Sequence, residues 1–205
     1  MATPEPSFDM LARVNQPWTA ALALELLPEN NGPRIAVFAG NVVVSPHAGF
    51  DHQSVELELC YRLKQAARKA GMWAYTEVNI VSGEDLFIPD IVVLRRSGGG
   101  LKKIPISEAV LLGEIVSDAH RRKDLIDRPR EYALAGVPYF LRVECRNRVP
   151  SMVFHVLSDG AYRPVAAAAS GDVLIFDEPF PFSIDPGDLL DDEEPAEPVE
   201  RDVQD

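Results

Sequence analysis

The chain has 205 residues, 46% of them hydrophobic and 25% charged, with a net charge of −12. That size suits one domain with a sizeable core and a tail. No apolar run approaches the ~20 residues of a membrane helix, and Met1-Ala2-Thr3-Pro4-Glu5-Pro6 carries neither the basic start nor the apolar stretch of a secretory signal. A cytoplasmic protein without a membrane partner is therefore expected. Cys60 and Cys145 make no disulfide framework and no zinc spacing, and read as free thiols. The acidity is uneven: residues 185–205 hold ten acids and one base, whereas between Arg95 and Arg130 nine bases face five acids. The middle of the chain is thus locally basic, and a nucleic-acid partner is compatible with a low overall pI. The acidic tail would compete with phosphates for those bases.

In chain order, residues 1–17 are polar and proline-containing and are expected to be loose, with one folded domain over 18–187 and a disordered acidic tail over 188–205. Trp18 to Leu27 reads as a short helix with Thr19 as N-cap and Pro28 as stop. Ile35–Phe38 and Asn41–Ser45 read as a hairpin around Ala39-Gly40. His52 to Ala70 is the clearest helix, with Val55, Leu59, Leu63 and Ala66 on one face and Gly71 at its end. Trp73–Val81 and Phe87–Arg95 are strand-like and joined by Ser82-Gly83-Glu84-Asp85. A glycine-rich basic loop, Arg96–Lys103, follows. Ala109–Val116 is a continuous apolar run, as expected of a strand buried on both faces. Arg121–Ala135 predicts a second helix, ended by Gly136-Val137-Pro138, and Tyr139–Glu144, Met152–Leu157 and Ala161–Val165 predict further strands. The series gives a mixed α/β sandwich whose core order is αβββαβ.

Two carboxylates stand out. Asp90 and Glu114 each lie within a strand-like apolar run, and burying them is costly unless a cation balances them. A divalent metal would do so: magnesium takes oxygen ligands, often one or two carboxylates with water and phosphate completing the shell. Without a metal, Asp90 after Pro89 would cap a turn and Glu114 would pair with an arginine.

Pro89-Asp90 followed by Glu114 on the next strand resembles the spacing of PD-(D/E)XK nucleases. The ordered set Val43-Val44-Ser45-Pro46, His52 opening a helix, Pro89-Asp90-Ile91-Val92-Val93, Glu114-Ile115-Val116-Ser117 and Tyr132-Ala133-Leu134-Ala135-Gly136-Val137-Pro138-Tyr139-Phe140 resembles the Uma-type family, catalogued as candidate restriction endonucleases, over roughly residues 18–185. The resemblance implies a restriction-endonuclease-like mixed β-sheet flanked by helices, with additional strands at both ends. It further implies a magnesium- or manganese-dependent endonuclease acting on DNA, in which Asp90, Glu114 and the carbonyl of Ile115 are the metal ligands. A homodimer is a further expectation, since many related nucleases act as dimers.

The chain departs from the pattern in three places. Val116 stands where the nuclease signature has lysine. The family's alternative lysine, four residues before the tyrosine, is here Arg128, which can stabilise a phosphorane but cannot act as a base; Lys123, nearer the start of the same predicted helix, is the substitute candidate. Ala36 stands where the family has an acid, with Glu56 and Glu58 on the first long helix as possible compensation, though surface exposure is expected for both. His120, following Ser117-Asp118-Ala119, could reach a phosphate, and the Arg95–Lys103 loop could contact the nucleic-acid backbone. The competing expectation is a nuclease-fold protein that has lost activity and serves as a binding or regulatory module; a weaker one is a structural partner whose acidic tail mimics nucleic acid.

Overall fold

The structure is a computed structural model, and it describes residues 16–26, 34–45, 48–116 and 127–190. The expected roles of Ser117, Asp118, His120 and Lys123, and the tail from Asp191, lie outside those residues.

Helix α1 (Ala20–Leu26) opens at Thr19, whose Oγ1 accepts from the Leu22 amide at 3.1 Å, an N-cap bond. Strands β1 (Arg34–Phe38) and β2 (Asn41–Ser45) form the expected hairpin. Its two-residue turn, Ala39-Gly40, has positive φ at both positions (48° and 76°), the conformation that matches strand twist. Helix α2 (Phe50–Lys69) buries Val55, Leu59, Leu63 and Ala67 along one stripe, and places Asp51 in its first turn and Arg68 and Lys69 in its last, complementing the helix dipole.

The next two sequence-predicted strands each prove to be two strands. Trp73–Val81 divides into β3 (Trp73–Thr76) and β4 (Ile80–Ser82), and Phe87–Arg95 into β5 (Asp85–Phe87) and β6 (Ile91–Leu94). Thr76 pairs with Ile91 in one sheet and Ile80 with Phe87 in another, so both segments change sheet at the same level. Glu77, with φ of 50°, makes one crossing; the proline-containing stretch Ile88-Pro89-Asp90 makes the other, and the Glu77 amide donates to the Pro89 carbonyl at 3.2 Å. Proline cannot donate to a ladder, which favours a break there.

Strand β7 (Ile104–Pro105), a 3₁₀ turn (Ile106–Glu108) and β8 (Ala109–Val116) follow, then α3 (Arg128–Leu134), β9 (Tyr139–Arg146), β10 (Val149–Ser158), β11 (Ala161–Ala169), β12 (Leu174–Phe176), β13 (Phe182–Ile184) and a 3₁₀ turn over Pro186–Leu189. The larger sheet has the order β11-β10-β9-β8-β6-β3, with β8 and β9 parallel and the other neighbours antiparallel; the smaller runs β2-β1-β5-β4-β7, and β12 and β13 form a separate hairpin. The order α2-β3-β6-β8-α3-β9 is the αβββαβ core expected from the sequence.

Both faces of the larger sheet are covered. Ile91, Val93, Leu111, Ile115, Leu141 and Val143 pack toward α2 and the β12–β13 hairpin. Val92, Leu94, Leu112 and Phe140 pack toward Tyr132 of α3 and toward Ile80, Phe87 and Ile104 of the smaller sheet. Burial on both faces explains the unbroken apolar run of β8. Packing continues past residue 187, because Leu189 is buried against the α2 side and Asp188 pairs with Arg62 at 3.2 Å. Among the described residues no helix is long and apolar enough to cross a membrane.

Candidate active site

The crossing between the sheets places the first carboxylate. Asp90 sits just before β6, only 2% exposed. Its Oδ2 accepts from the backbone amide of Ile115 at 2.8 Å, and its Oδ1 accepts from Nη1 of Arg34 at 2.5 Å. Nε2 of His52, in the first turn of α2, lies 3.6 Å from Oδ1, an ion-pair distance beyond hydrogen-bond range. Burial alone would raise the Asp90 pKa; His52, Arg34 and the Ile115 amide outweigh it and hold the carboxyl at about 2. Arg34 also reaches Oε1 of Glu77 at 3.0 Å, so one guanidinium ties together both crossing points.

The second carboxylate faces the other helix. Glu114, 0% exposed, accepts at Oε1 from the Tyr132 hydroxyl at 2.6 Å and pairs through Oε2 with Nη1 of Arg128. Arg128 and Tyr132 stand four residues apart on α3, which puts them on one face. The helix opens with Pro129 near its start, where proline's missing amide costs no internal bond. Burial, followed by the charge of Glu114, pushes the Tyr132 hydroxyl well above its usual range, so it stays a donor. Gly113 lets the strands close up beside this residue: a Cβ there would meet Ile91 Cβ at 3.0 Å and the Leu141 carbonyl at 3.3 Å.

The two clusters are electrostatic neighbours. Asp90 opposes ionisation of Tyr132, and Arg34 and Arg128 repel one another. The ladder between β6 and β8 begins at Ile91–Gly113, so Ile115 lies two residues beyond it. In an extended strand the N–H and C=O of one residue point to the same edge; the amide of Ile115 donates to Asp90, and its carbonyl therefore lies on that same edge.

Glu56 differs from the sequence expectation of surface exposure. It is buried, because one turn of α2 past His52 faces the Asp90 cluster. Burial, then the charges of Glu77 and Asp90, raise its pKa to about 7. Its Oε1 and the Nε2 of His52 are buried atoms without a hydrogen-bond partner. Glu58 is half-buried, short of the full exposure expected, and pairs with Arg62 at 2.6 Å. Ala36 is buried in β1 and supplies no ligand. The Arg95–Lys103 loop spends part of its charge internally: Arg95 donates to the carbonyls of Ser107 and Ala109, and Arg96 pairs with Glu108 at 2.9 Å.

Sequence reasoning did not single out Arg34, Glu77 or Tyr132. A lone arginine ahead of an apolar strand and a glutamate in what reads as a continuous strand give no local signal; the fold brings them together. Among the described residues no group of three or more His, Cys, Asp and Glu is arranged to hold a metal. Two carboxylates and a backbone carbonyl are oxygen donors of the kind a small hard cation takes, and the oxygens of both carboxylates are engaged here, Asp90 by Arg34 and the Ile115 amide and Glu114 by Arg128 and Tyr132. The orphaned buried atoms of His52 and Glu56 beside Asp90 mark a place where water or an ion is wanted.

No curated relative matches the chain significantly. The fold is similar to a crystal structure from Anabaena variabilis described as "a putative nuclease belonging to DUF820", with a TM-score of 0.59 and 15% identity over 76% of this chain and 86% of that one. The family model described as "Uma2: Putative restriction endonuclease" matches residues 19–189, and with the αβββαβ core around its two buried carboxylates the chain belongs to the Uma2 family.

Proposed function

We propose that the protein is a metal-dependent endonuclease that hydrolyses phosphodiester bonds in DNA, with magnesium or manganese held by Asp90, Glu114 and the carbonyl of Ile115. Family membership supports a nuclease. The observation that carries the reading is the pair of fully buried carboxylates on adjoining strands, joined through the Ile115 amide and flanked by a buried arginine. A bound divalent ion would supply charge neutralisation at phosphorus and a more acidic water.

The chain's own residues do the rest. Arg34 and the Ile115 amide fix Asp90 in its ionised form. Tyr132 fixes the Glu114 carboxylate by donating to one oxygen. Arg128 presents a planar guanidinium that can hold a phosphate in a fork and stabilise developing charge, while remaining protonated. Lys123, outside the described residues, is the alternative cation. Arg128→Lys should raise the cleavage rate at saturating manganese, because lysine can also exchange a proton; Arg128→Ala should lower it by ~100-fold. Wild-type rates in both folded variants would remove Arg128 from the reaction.

A second reading has its own observation. Arg34 and Arg128 already balance Asp90 and Glu114, and Val116 stands where the signature has lysine. On that reading the site is a structural ion-pair cluster in a binding module, and the wild-type chain cleaves no nucleic acid with any divalent ion.

A further inference from the structure

On the α3 face of the larger sheet, beyond the carboxylates, lies an open cleft of about 280 Å³ between α3 and strands β9, β10 and β11. It is lined by Arg130, Arg142 and His155, with Phe140 and Tyr162 beneath, and no acid is among its lining residues. In a chain of 32 acids and 20 bases that composition is selective. Phe140 packs on Tyr162 at 5.3 Å and on His155 at 5.5 Å, and the Tyr162 hydroxyl donates to the Val137 carbonyl at 2.9 Å, so the floor is rigid. One donor-capable atom of the lining, Nδ1 of His155, is buried without a hydrogen-bond partner. Nε of Arg142 is ion-paired with Glu144 Oε1 at 3.2 Å, and the other oxygen of Glu144 pairs with Arg146, so the terminal nitrogens of Arg142 are the part of its fork that can face the cleft.

The cleft adjoins the carboxylate site through two elements. Arg142 is the register partner of Glu114 across the parallel β8–β9 ladder, so both side chains stand on the same face. Arg130 lies on α3 two residues past Arg128, which turns it to the opposite, exposed side of the helix. Two arginines supply the charge for a phosphate group, and His155, whose pKa is lowered by burial and then by the Arg142 charge, adds a neutral donor.

We propose that this cleft is a phosphate subsite that holds the nucleic-acid backbone one or more nucleotides away from the bond cut at Glu114, acting in positioning and not in chemistry. This rests on the nuclease reading for its ligand, but binding can be measured without cleavage. The test is the affinity of the full chain for a short fluorescent DNA duplex in EDTA, by anisotropy across a salt series. Arg130→Gln/Arg142→Gln should weaken binding at least tenfold at low salt and reduce the slope of log affinity against log salt by up to about 1.8, from about 0.9 per lost phosphate contact. Arg130→Glu alone changes only an exposed residue, so it should fold, and it should weaken binding similarly. Unchanged affinity and slope in both variants would overturn the proposal, whatever the cleavage assay shows. Loss of binding to inorganic phosphate in the variants of a chain that binds no DNA would also overturn the backbone assignment, by showing that the cleft serves a small anion. Retained, arginine-dependent DNA binding in a wild-type chain that never cleaves would instead uphold the subsite and sink the nuclease reading.

Discussion

Removing Arg128 should expose how far the fold depends on a charge that it has buried. Glu114 is fully enclosed, and its Oε2 is paired with the arginine while its Oε1 takes the Tyr132 hydroxyl. Arg128→Met takes the guanidinium away from that carboxylate in a low-dielectric environment. Breaking a buried pair from one side typically costs ~3–5 kcal/mol, equivalent to a melting temperature lower by roughly 6–20 °C in a chain of this size. Glu114→Gln instead removes the carboxylate from beside a guanidinium on a residue that keeps 8% exposure, and should cost less. The double variant Glu114→Gln/Arg128→Met removes both charges and should recover part of the loss, giving a coupling of about 2 kcal/mol or more. Urea unfolding followed by circular dichroism measures all four chains. The Arg128→Met deficit should also shrink from pH 8 to pH 5, because an unpaired buried carboxyl can relieve its cost by taking a proton. Additive single variants, or an Arg128→Met deficit below ~1 kcal/mol, would show that Glu114 is satisfied without the arginine and refute this reasoning.

Three further effects follow from the same geometry. Glu56 has its folded pKa raised from 4.5 to about 7, so the folded state holds the proton more tightly than the unfolded chain. Its contribution is therefore lost as pH rises through that window, and Glu56→Gln should flatten the urea midpoint between pH 5 and 8 and be the more stable chain at pH 8. Asp90 works in the opposite sense: with a folded pKa of about 2 against 3.8, it stabilises above pH 4 and that contribution falls away toward pH 2, an acid limb that Asp90→Asn should remove. Gly113→Ala should cost ~1–3 kcal/mol, since its Cβ meets Ile91 Cβ at 3.0 Å between packed strands; a thermal melt matching the wild type would show that β6 and β8 can move apart.

Most of the architecture was legible because its signals are local. The Thr19 cap, the Ala39-Gly40 turn, the four-residue stripe of α2 and the apolar run of β8 each specify their element within a few residues. The broken strands were not legible in that way. Glu77-Val78-Asn79 and Ile88-Pro89-Asp90 read as parts of strands because their flanks are apolar; only the pairing of Thr76 with Ile91 and Ile80 with Phe87 in different sheets shows where the chain crosses. The same limit applies to the site. Asp90, Glu114 and Arg128 could be picked out by context and family pattern, whereas Arg34 comes from a strand 56 residues before Asp90 and announces itself only through the fold. Glu56 departs from the sequence expectation for a related reason: a charged residue on an amphipathic helix is ordinarily solvated, and here it lies at the margin of the buried stripe, facing a mixed cluster in which Glu77 and Asp90 add to the cost of burial and His52 and Arg34 offset only part of it.

The central claim is that Asp90 and Glu114 share one divalent cation. Its most direct measurement is anomalous scattering from crystals of the full chain soaked in manganese, with Glu114→Gln crystals treated in parallel. The account predicts a single manganese peak contacted by Asp90, Glu114 and the Ile115 carbonyl in the wild type, and none in the variant. Density showing both carboxylates still held by Arg34 and Arg128, with no peak between them at saturating manganese, would contradict it.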